Sequence, residues 1–151
     1  LGVRTTFLET SIILTQTEDC KLSTLHYQLQ ESPDIAQTVA VTCFGLGIGC
    51  HLTGLHTLKI KETDRLQALK NEIEKLGGKV EITDHSLVLQ PNSLILEPKS
   101  ISTYQDHRMA MAFAPLALKS SLKIENAEVV SKSYPKFWED LKHIGFQIKE
   151  N

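Results

Sequence analysis

The run Lys61-Glu62-Thr63-Asp64-Arg65 leads into Leu66, Leu69, Ile73 and Leu76 at helical spacing, and Gly77-Gly78 closes it. Apolar residues three and four apart make one face of an amphipathic helix, and glycine accepts the left-handed conformation that ends one. The spacing therefore predicts a half-exposed helix with Thr63 as its N-cap. Residues 50–58 before it suit a strand, and 79–83 and 86–90 after it read as a hairpin turning at Asp84-His85. The charged pentad thus sits where a strand gives way to a helix. The N–H groups there have no partner inside the helix, and such a place binds anions.

The same design recurs on both sides. Leu25, Tyr27 and Leu29 alternate with polar residues, as in a strand. Ser32-Pro33-Asp34 reads as a helix start, with Ser32 capping and Pro33 in the first turn. Residues 35–46 are apolar on most faces, which predicts a buried helix stopped by Gly45, Gly47 and Gly49. Downstream, 91–99 is a weakly patterned connection and 100–104 a short strand. Asp106 can cap an almost wholly apolar helix through Met109-Ala110-Met111-Ala112-Phe113, which Pro115 kinks or shortens. Residues 122–130 read as a strand. Ser133 can cap a last helix with Tyr134, Phe137, Leu141 and Ile144 on its apolar face. Gly145 ends that helix, and Phe146-Gln147-Ile148 reads as a final strand.

Leu1-Gly2-Val3 leads to 11–16 as Leu76-Gly77-Gly78 leads to 86–90, and Ile144-Gly145-Phe146 starts the pattern a third time. A period of several tens of residues marks a repeated supersecondary unit, here β-α-β-α-β-β. The expected fold class is α/β (α+β), with repeated units, mixed sheets and buried helices. The expected organisation is a partial domain over 1–151, in which 1–23 is the tail of one unit, 24–90 a full unit and 91–151 most of a further one. The helices starting at Asp34 and Asp106 should be innermost. The only methionines are Met109 and Met111, and the opening residues read as a helix end, so the chain is expected to be a piece of a longer protein.

Composition narrows the classes. With 151 residues, 41% hydrophobic and 23% charged, the chain has the material for an ordinary globular core. A formal charge of -2 argues against a general binder of nucleic acid or membrane surfaces. No apolar run is long enough for a membrane span, and no signal peptide is expected from the opening residues. Cys20, Cys43 and Cys50 show neither zinc-ligand nor redox-pair spacing, which reads as three reduced thiols in a cytosolic protein. The six histidines form no HxxxH or HxH pair, so no metal site is expected.

Four helix starts carry the candidates for chemistry: Asp34 at the first, Lys61, Glu62 and Arg65 at the second, His107 and Arg108 at the third, and Lys132 at the fourth. Singly, each has an ordinary account. Asp34 suits a first turn, Asp106 a cap, and His107 a structural role. Lys61 and Arg65, however, are badly placed at a helix N-terminus unless an anion is present. Arg108 opens an apolar helix, a poor place for an unpaired charge. If the units stack in parallel, four cations and two carboxylates converge on one surface suited to a small anionic substrate.

Lys-Glu-Thr-Asp-Arg-Leu (61–66), Asp-His-Arg-Met-Ala-Met-Ala-Phe (106–113) and Lys-Ser-Tyr-Pro-x-Phe-Trp (132–138), with Ser-Pro-Asp at 32–34, resemble in that order the C-terminal third of the 5-enolpyruvylshikimate-3-phosphate synthases. The resemblance implies an enolpyruvyl transferase fold of two similar domains, each of three β-α-β-α-β-β units. It implies transfer of the enolpyruvyl group of phosphoenolpyruvate to the 5-hydroxyl of shikimate 3-phosphate, with release of phosphate, at a site between the domains. No metal or organic cofactor is implied. The partners implied are the two small-molecule substrates and the rest of the same enzyme, without which this piece is expected to be inactive. The implied setting is cytoplasmic aromatic amino-acid synthesis, at a step targeted by glyphosate.

By resemblance, Asp34 binds the shikimate hydroxyls and accepts a proton, and Glu62 stands near the phosphoenolpyruvate methylene. Arg65, Arg108 and Lys132 bind phosphoenolpyruvate, Lys132 being also a candidate proton carrier. Lys61 belongs to the shikimate-phosphate site, and His107 lines the cavity. Thr57 stands where some members have an asparagine that touches shikimate 3-phosphate. Two alternatives stand beside this reading. One is another enolpyruvyl transferase, such as UDP-N-acetylglucosamine 1-carboxyvinyltransferase, whose family looks different at the pentad and at Asp-His-Arg. The other is a non-catalytic domain of the same fold.

Overall fold

The computed structural model describes residues 2–17, 23–61, 63–91 and 99–149. An antiparallel hairpin of β1 (Val3–Phe7) and β2 (Ile12–Gln16) comes first. Every residue of both strands is exposed. The next stretch runs β3 (Thr24–Gln28), a 3₁₀ turn (Pro33–Ile35), α1 (Ala36–Leu46) and β4 (Gly49–Thr53). A second 3₁₀ helix (His56–Ile60), α2 (Arg65–Lys75), β5 (Val80–Ile82) and β6 (Ser86–Leu89) follow. They form one mixed sheet in the order β3-β4-β6-β5, with β3 and β4 parallel and the other pairs antiparallel. The order β-α-β-α-β-β expected from the spacing is what this stretch adopts.

The pattern then begins again with β7 (Ser100–Ile101), α3 (His107–Phe113) and β8 (Lys123–Ile124), and β7 and β8 are parallel. A 3₁₀ segment (Ala127–Lys132) and α4 (Phe137–His143) complete it. Helices α1 and α3 pack against each other. Ala36, Ala40, Val41, Phe44, Met109 and Phe113 are buried there. Helix α2 turns Leu66, Leu69 and Ile73 inward, each contributing ~1.5–3 kcal/mol on burial, and leaves Gln67, Asn71 and Glu74 outside. Helix α3 exposes none of its residues, whereas α1 and α2 each bury six of eleven, so α1 is no more enclosed than α2 and the expectation of an innermost α1 does not hold.

Several boundaries differ from the sequence reading. The N-cap of α2 is Asp64, whose Oδ1 accepts the Gln67 N–H at 3.0 Å. Asp64 and Thr63 are both capping types, and Asp64 is the one with extended backbone directly before the first helical residue. The strand expected over 50–58 stops at Thr53, because Gly54 (φ 77) turns the chain where a side chain would strike the Gln30 backbone. Gly47, in the left-handed conformation, ends α1, whereas Gly45 lies within the helix and Gly49 within β4. Ser32 makes no side-chain cap bond.

Helix α3 stops at Phe113, and Pro115 falls in a 3₁₀ segment (Ala114–Leu118), the shortening its ring dictates. The strand expected over 122–130 ends at Ile124, since Asn126 turns left-handed (φ 49). Ser133 does not cap α4. Tyr134 precedes Pro135 and is biased away from helical backbone, so the helix begins only at Phe137. Lys132 accordingly ends a 3₁₀ segment instead of opening a helix. Residues 146–148 are not a strand, since among the described residues no strand pairs with them.

Candidate active site

Asp34 lies in the 3₁₀ turn that opens α1, and the starts of α2 and α3 come up beside it. Arg65, the first residue of α2, is 2% exposed. Its Nη1 donates to Asp34 Oδ1 at 2.9 Å and its Nε to Asp106 Oδ2 at 2.7 Å. Arg108 donates from Nη1 to the Asp34 carbonyl at 3.0 Å and from Nη2 to Asp34 Oδ2 at 3.3 Å. The Lys61 ammonium is 3.4 Å from Asp34 Oδ1. Three cations from two helix starts thus meet one carboxylate of a third.

Asp106 supports this arrangement from below. It is fully buried, its Oδ1 accepts the Arg108 N–H at 2.9 Å, and its Oδ2 takes both Arg65 Nε and Gln37 Nε2, the latter at 3.1 Å. One carboxylate therefore caps α3 and orients the guanidinium of α2. Burial alone would raise the Asp34 carboxyl, but Arg108, Lys61 and Arg65 outweigh it and hold the group below its ordinary value of 3.8. Among the described residues, three cations here face two carboxylates.

Next to Arg108 opens a cleft of about 260 Å³ lined by Thr38, His107, Arg108, Met111, Ser133 and Tyr134. Its floor comes from α1 and α3 and its side from the turn before α4. Arg108 on its edge gives a cleft of this size one two-pronged donor for a small anion.

Of the residues singled out in the sequence, Asp34, Lys61, Arg65 and Arg108 come together. His107 lines the cleft, with Nδ1 3.9 Å from Asp106 Oδ1. Lys132 is exposed and precedes Ser133 of the cleft wall. Thr57 sits in the 3₁₀ helix before Lys61, its Oγ1 buried with no hydrogen-bond partner among the described residues. Glu62 lies outside the described residues, as does Cys20. Gln37 was missed, although a glutamine one turn after Asp34 in an apolar helix is itself a signal. Asp106 was read only as a cap, and local spacing holds no sign of a partner 41 residues away.

The pattern of EPSP synthase (3-phosphoshikimate 1-carboxyvinyltransferase) matches residues 2–141. A 3-phosphoshikimate 1-carboxyvinyltransferase of Bacteroides fragilis is 44% identical over 152 residues, covering 99% of this chain and 37% of the relative. That of Methanospirillum hungatei is 37% identical over 145 residues, covering 95% of this chain and 33% of the relative. Among solved structures, EPSP synthase from Acinetobacter baumannii superposes with a TM-score of 0.75 at 21% identity, covering 99% of this chain and 36% of that one, which shows the fold. The chain therefore spans about a third of the length of the relatives it matches. With the pattern running through residues 2–141, and with the mixed-sheet fold shared, the chain belongs to the EPSP synthase (3-phosphoshikimate 1-carboxyvinyltransferase) family.

Proposed function

We propose that the full-length protein transfers the enolpyruvyl group of phosphoenolpyruvate to the 5-hydroxyl of shikimate 3-phosphate and releases phosphate, and that this chain supplies one wall of the site. The observation that carries the reading is the meeting of Lys61, Arg65 and Arg108 on Asp34. Asp34 is the anion these cations share. An arriving carboxylate and phosphate offer them stronger partners, since a guanidinium binds both through two parallel donors. Arg65, Arg108 and Lys132 would hold phosphoenolpyruvate, and Lys61 the shikimate phosphate. His107 and Thr57 would line the site.

Freed from part of its cation shell, Asp34 would turn to the shikimate hydroxyls and accept the proton of the attacking one. A carboxylate is a competent base when its hydrogen-bond reach is right. The addition also needs a proton at the methylene carbon, and the elimination must remove it. Glu62 and Lys132 are the candidates for that transfer. The other side of the site belongs to the remainder of the enzyme. Among the described residues no helix is long and apolar enough to cross a membrane, and we place the reaction in the cytoplasm with its water-borne substrates.

The test is a phosphate-release assay on the full-length protein. Release is expected only when phosphoenolpyruvate and shikimate 3-phosphate are both present. Release with UDP-N-acetylglucosamine as the sole acceptor would move the protein to the other enolpyruvyl transferase reaction. No release with either acceptor would leave a non-catalytic member of the fold.

A further inference from the structure

The backbone just before Asp106 is strained. Tyr104 and Gln105 are consecutive non-glycine residues with positive φ, 54° and 58°. The Asp106 N–H bonds the Thr103 carbonyl at 2.9 Å. Residues 103–106 thus form a turn whose two central residues are both left-handed, a geometry that normally selects Asn and Gly. Tyrosine and glutamine in these places need something outside the turn to hold them, and strain of this kind persists only where the surroundings over-determine it.

What holds the turn is Glu72. It is 1% exposed, on the inner face of α2. Its Oε1 accepts the Tyr104 hydroxyl at 2.8 Å, and its Oε2 accepts the Ser102 N–H at 3.2 Å. Lys75 balances the charge from one turn along, 2.5 Å from Oε2, and reaches the Ser100 carbonyl at 3.1 Å. Burial first, and the neighbouring Glu72 carboxylate after it, raise the Tyr104 hydroxyl above its ordinary value, so it stays a donor.

Glu72 lies seven residues after Arg65, two turns along the same buried face of α2. The helix therefore grips the segment 102–106 at two points. Glu72 holds its start, and Arg65 holds its end through Asp106. We propose that Glu72 and Tyr104 are positioning residues. Their contact fixes the strained turn that delivers Asp106, and Asp106 in turn aims the Arg65 guanidinium and sets the first turn of α3 that bears Arg108. Neither residue touches the cleft. The proposal rests on the reading of Arg65 and Arg108 as phosphoenolpyruvate ligands.

The test uses the full-length enzyme with Tyr104→Phe, Glu72→Gln, and the double variant Tyr104→Phe with Gln105→Gly. Tyr104→Phe keeps the ring and loses the anchor. Gln105→Gly removes the left-handed penalty at the second central position, so the turn can form without its anchor. Tyr104→Phe should raise KM for phosphoenolpyruvate ~10-fold, short of the ~100-fold that a 1 Å misplacement can cost. KM for shikimate 3-phosphate should change less than about twofold, and the double variant should recover most of the loss. Glu72→Gln retains an acceptor for Tyr104 and should show the same selectivity more weakly. Unchanged phosphoenolpyruvate KM in Tyr104→Phe, or equal rises for both substrates that follow the loss of melting temperature without rescue by glycine, would overturn the proposal. An inactive wild type would instead defeat the functional reading. In that case, hydrogen exchange at Arg65 Nε, followed by NMR on isotope-labelled arginine, still decides. Exchange accelerated in Tyr104→Phe and slowed again in the double variant supports the clamp, and unaltered exchange overturns it.

Discussion

Arg65 shows why a charge can sit at the wrong end of a helix. The helix dipole disfavours a cation at its N-terminus, yet Arg65 is buried there between Asp106 at 2.7 Å and Asp34 at 2.9 Å. Breaking a buried pair strands the remaining charge, at a typical cost of ~3–5 kcal/mol. Asp106→Ala should therefore lower unfolding stability by about 3 kcal/mol or more, the lost α3 cap included. Urea unfolding gives the value, and a change below about 1 kcal/mol would mean that Arg65 does not depend on Asp106. Arg108 is a different case, a two-pronged donor at the cleft edge. Arg108→Lys keeps the charge but not the fork, and should weaken phosphoenolpyruvate binding about tenfold in the full-length enzyme, as measured by titration calorimetry. Normal binding would make Arg108 a helix-start residue with no ligand role. Asp34 contributes to the pH dependence. Its folded value lies below 3.8, so its stabilising contribution is complete above that pH and is lost as pH falls through the lower folded value. Asp34→Asn should lower stability modestly above about pH 4, where that contribution is complete, and flatten the acid limb below it, where the variant and the wild type converge. With 38% of the Asp34 side chain exposed, solvent screening keeps the effect modest. An unchanged acid limb would show that Asp34 has the same affinity for protons in the folded and unfolded chain.

At the scale of elements, α2 was legible from its helical period, and α1 and α3 from apolar runs that follow a helix-start residue, and all three fall close to those places. The segments that turned out as 3₁₀ were not. His56–Ile60 and Ala127–Lys132 carry β-branched and apolar residues that read as strand, and the chain is turned out of the sheet by single residues, Gly54 and Asn126, at positive φ. The joint between α2 and β5 tests how tightly an element end is built. Gly77 has φ +92 and open space where a side chain would go, so Gly77→Ala carries only a backbone cost of ~1 kcal/mol. At Gly78 a Cβ would run into Ile73 Cγ2 and stand 3.0 Å from Phe44 Cε2, two fully buried side chains. Gly78→Ala should cost ~1–3 kcal/mol through overpacking, more than Gly77→Ala. Thermal unfolding of the two variants side by side checks the order, and the reverse order would show that the core yields at this corner.

The molecule as a whole presents a cluster of cations beside a cleft and a hairpin whose strand residues are all exposed. Val3, Phe7, Ile12, Ile13 and Leu14 of β1 and β2 are all exposed, and the chain spans only 37% of the length of its Bacteroides relative. Setting two anionic substrates against each other can contribute ~7–11 kcal/mol of barrier lowering, and half a clamp forfeits most of it. This chain alone is therefore expected to show no phosphate release above background in a steady-state assay. Turnover comparable to that of the full-length enzyme would mean that the site is complete within these residues. The sequence by itself determined the element order over residues 24–90, the buried face of α2 and the family, because period and motif order are written locally. It also singled out Lys61, Arg65 and Arg108 as cations in need of anions. Only the tertiary structure decided which anions. Asp34, Asp106, Gln37 and Glu72 meet their partners across 30 or more residues, and no local pattern encodes a contact between side chains that only the packing of α1, α2 and α3 brings within hydrogen-bond reach.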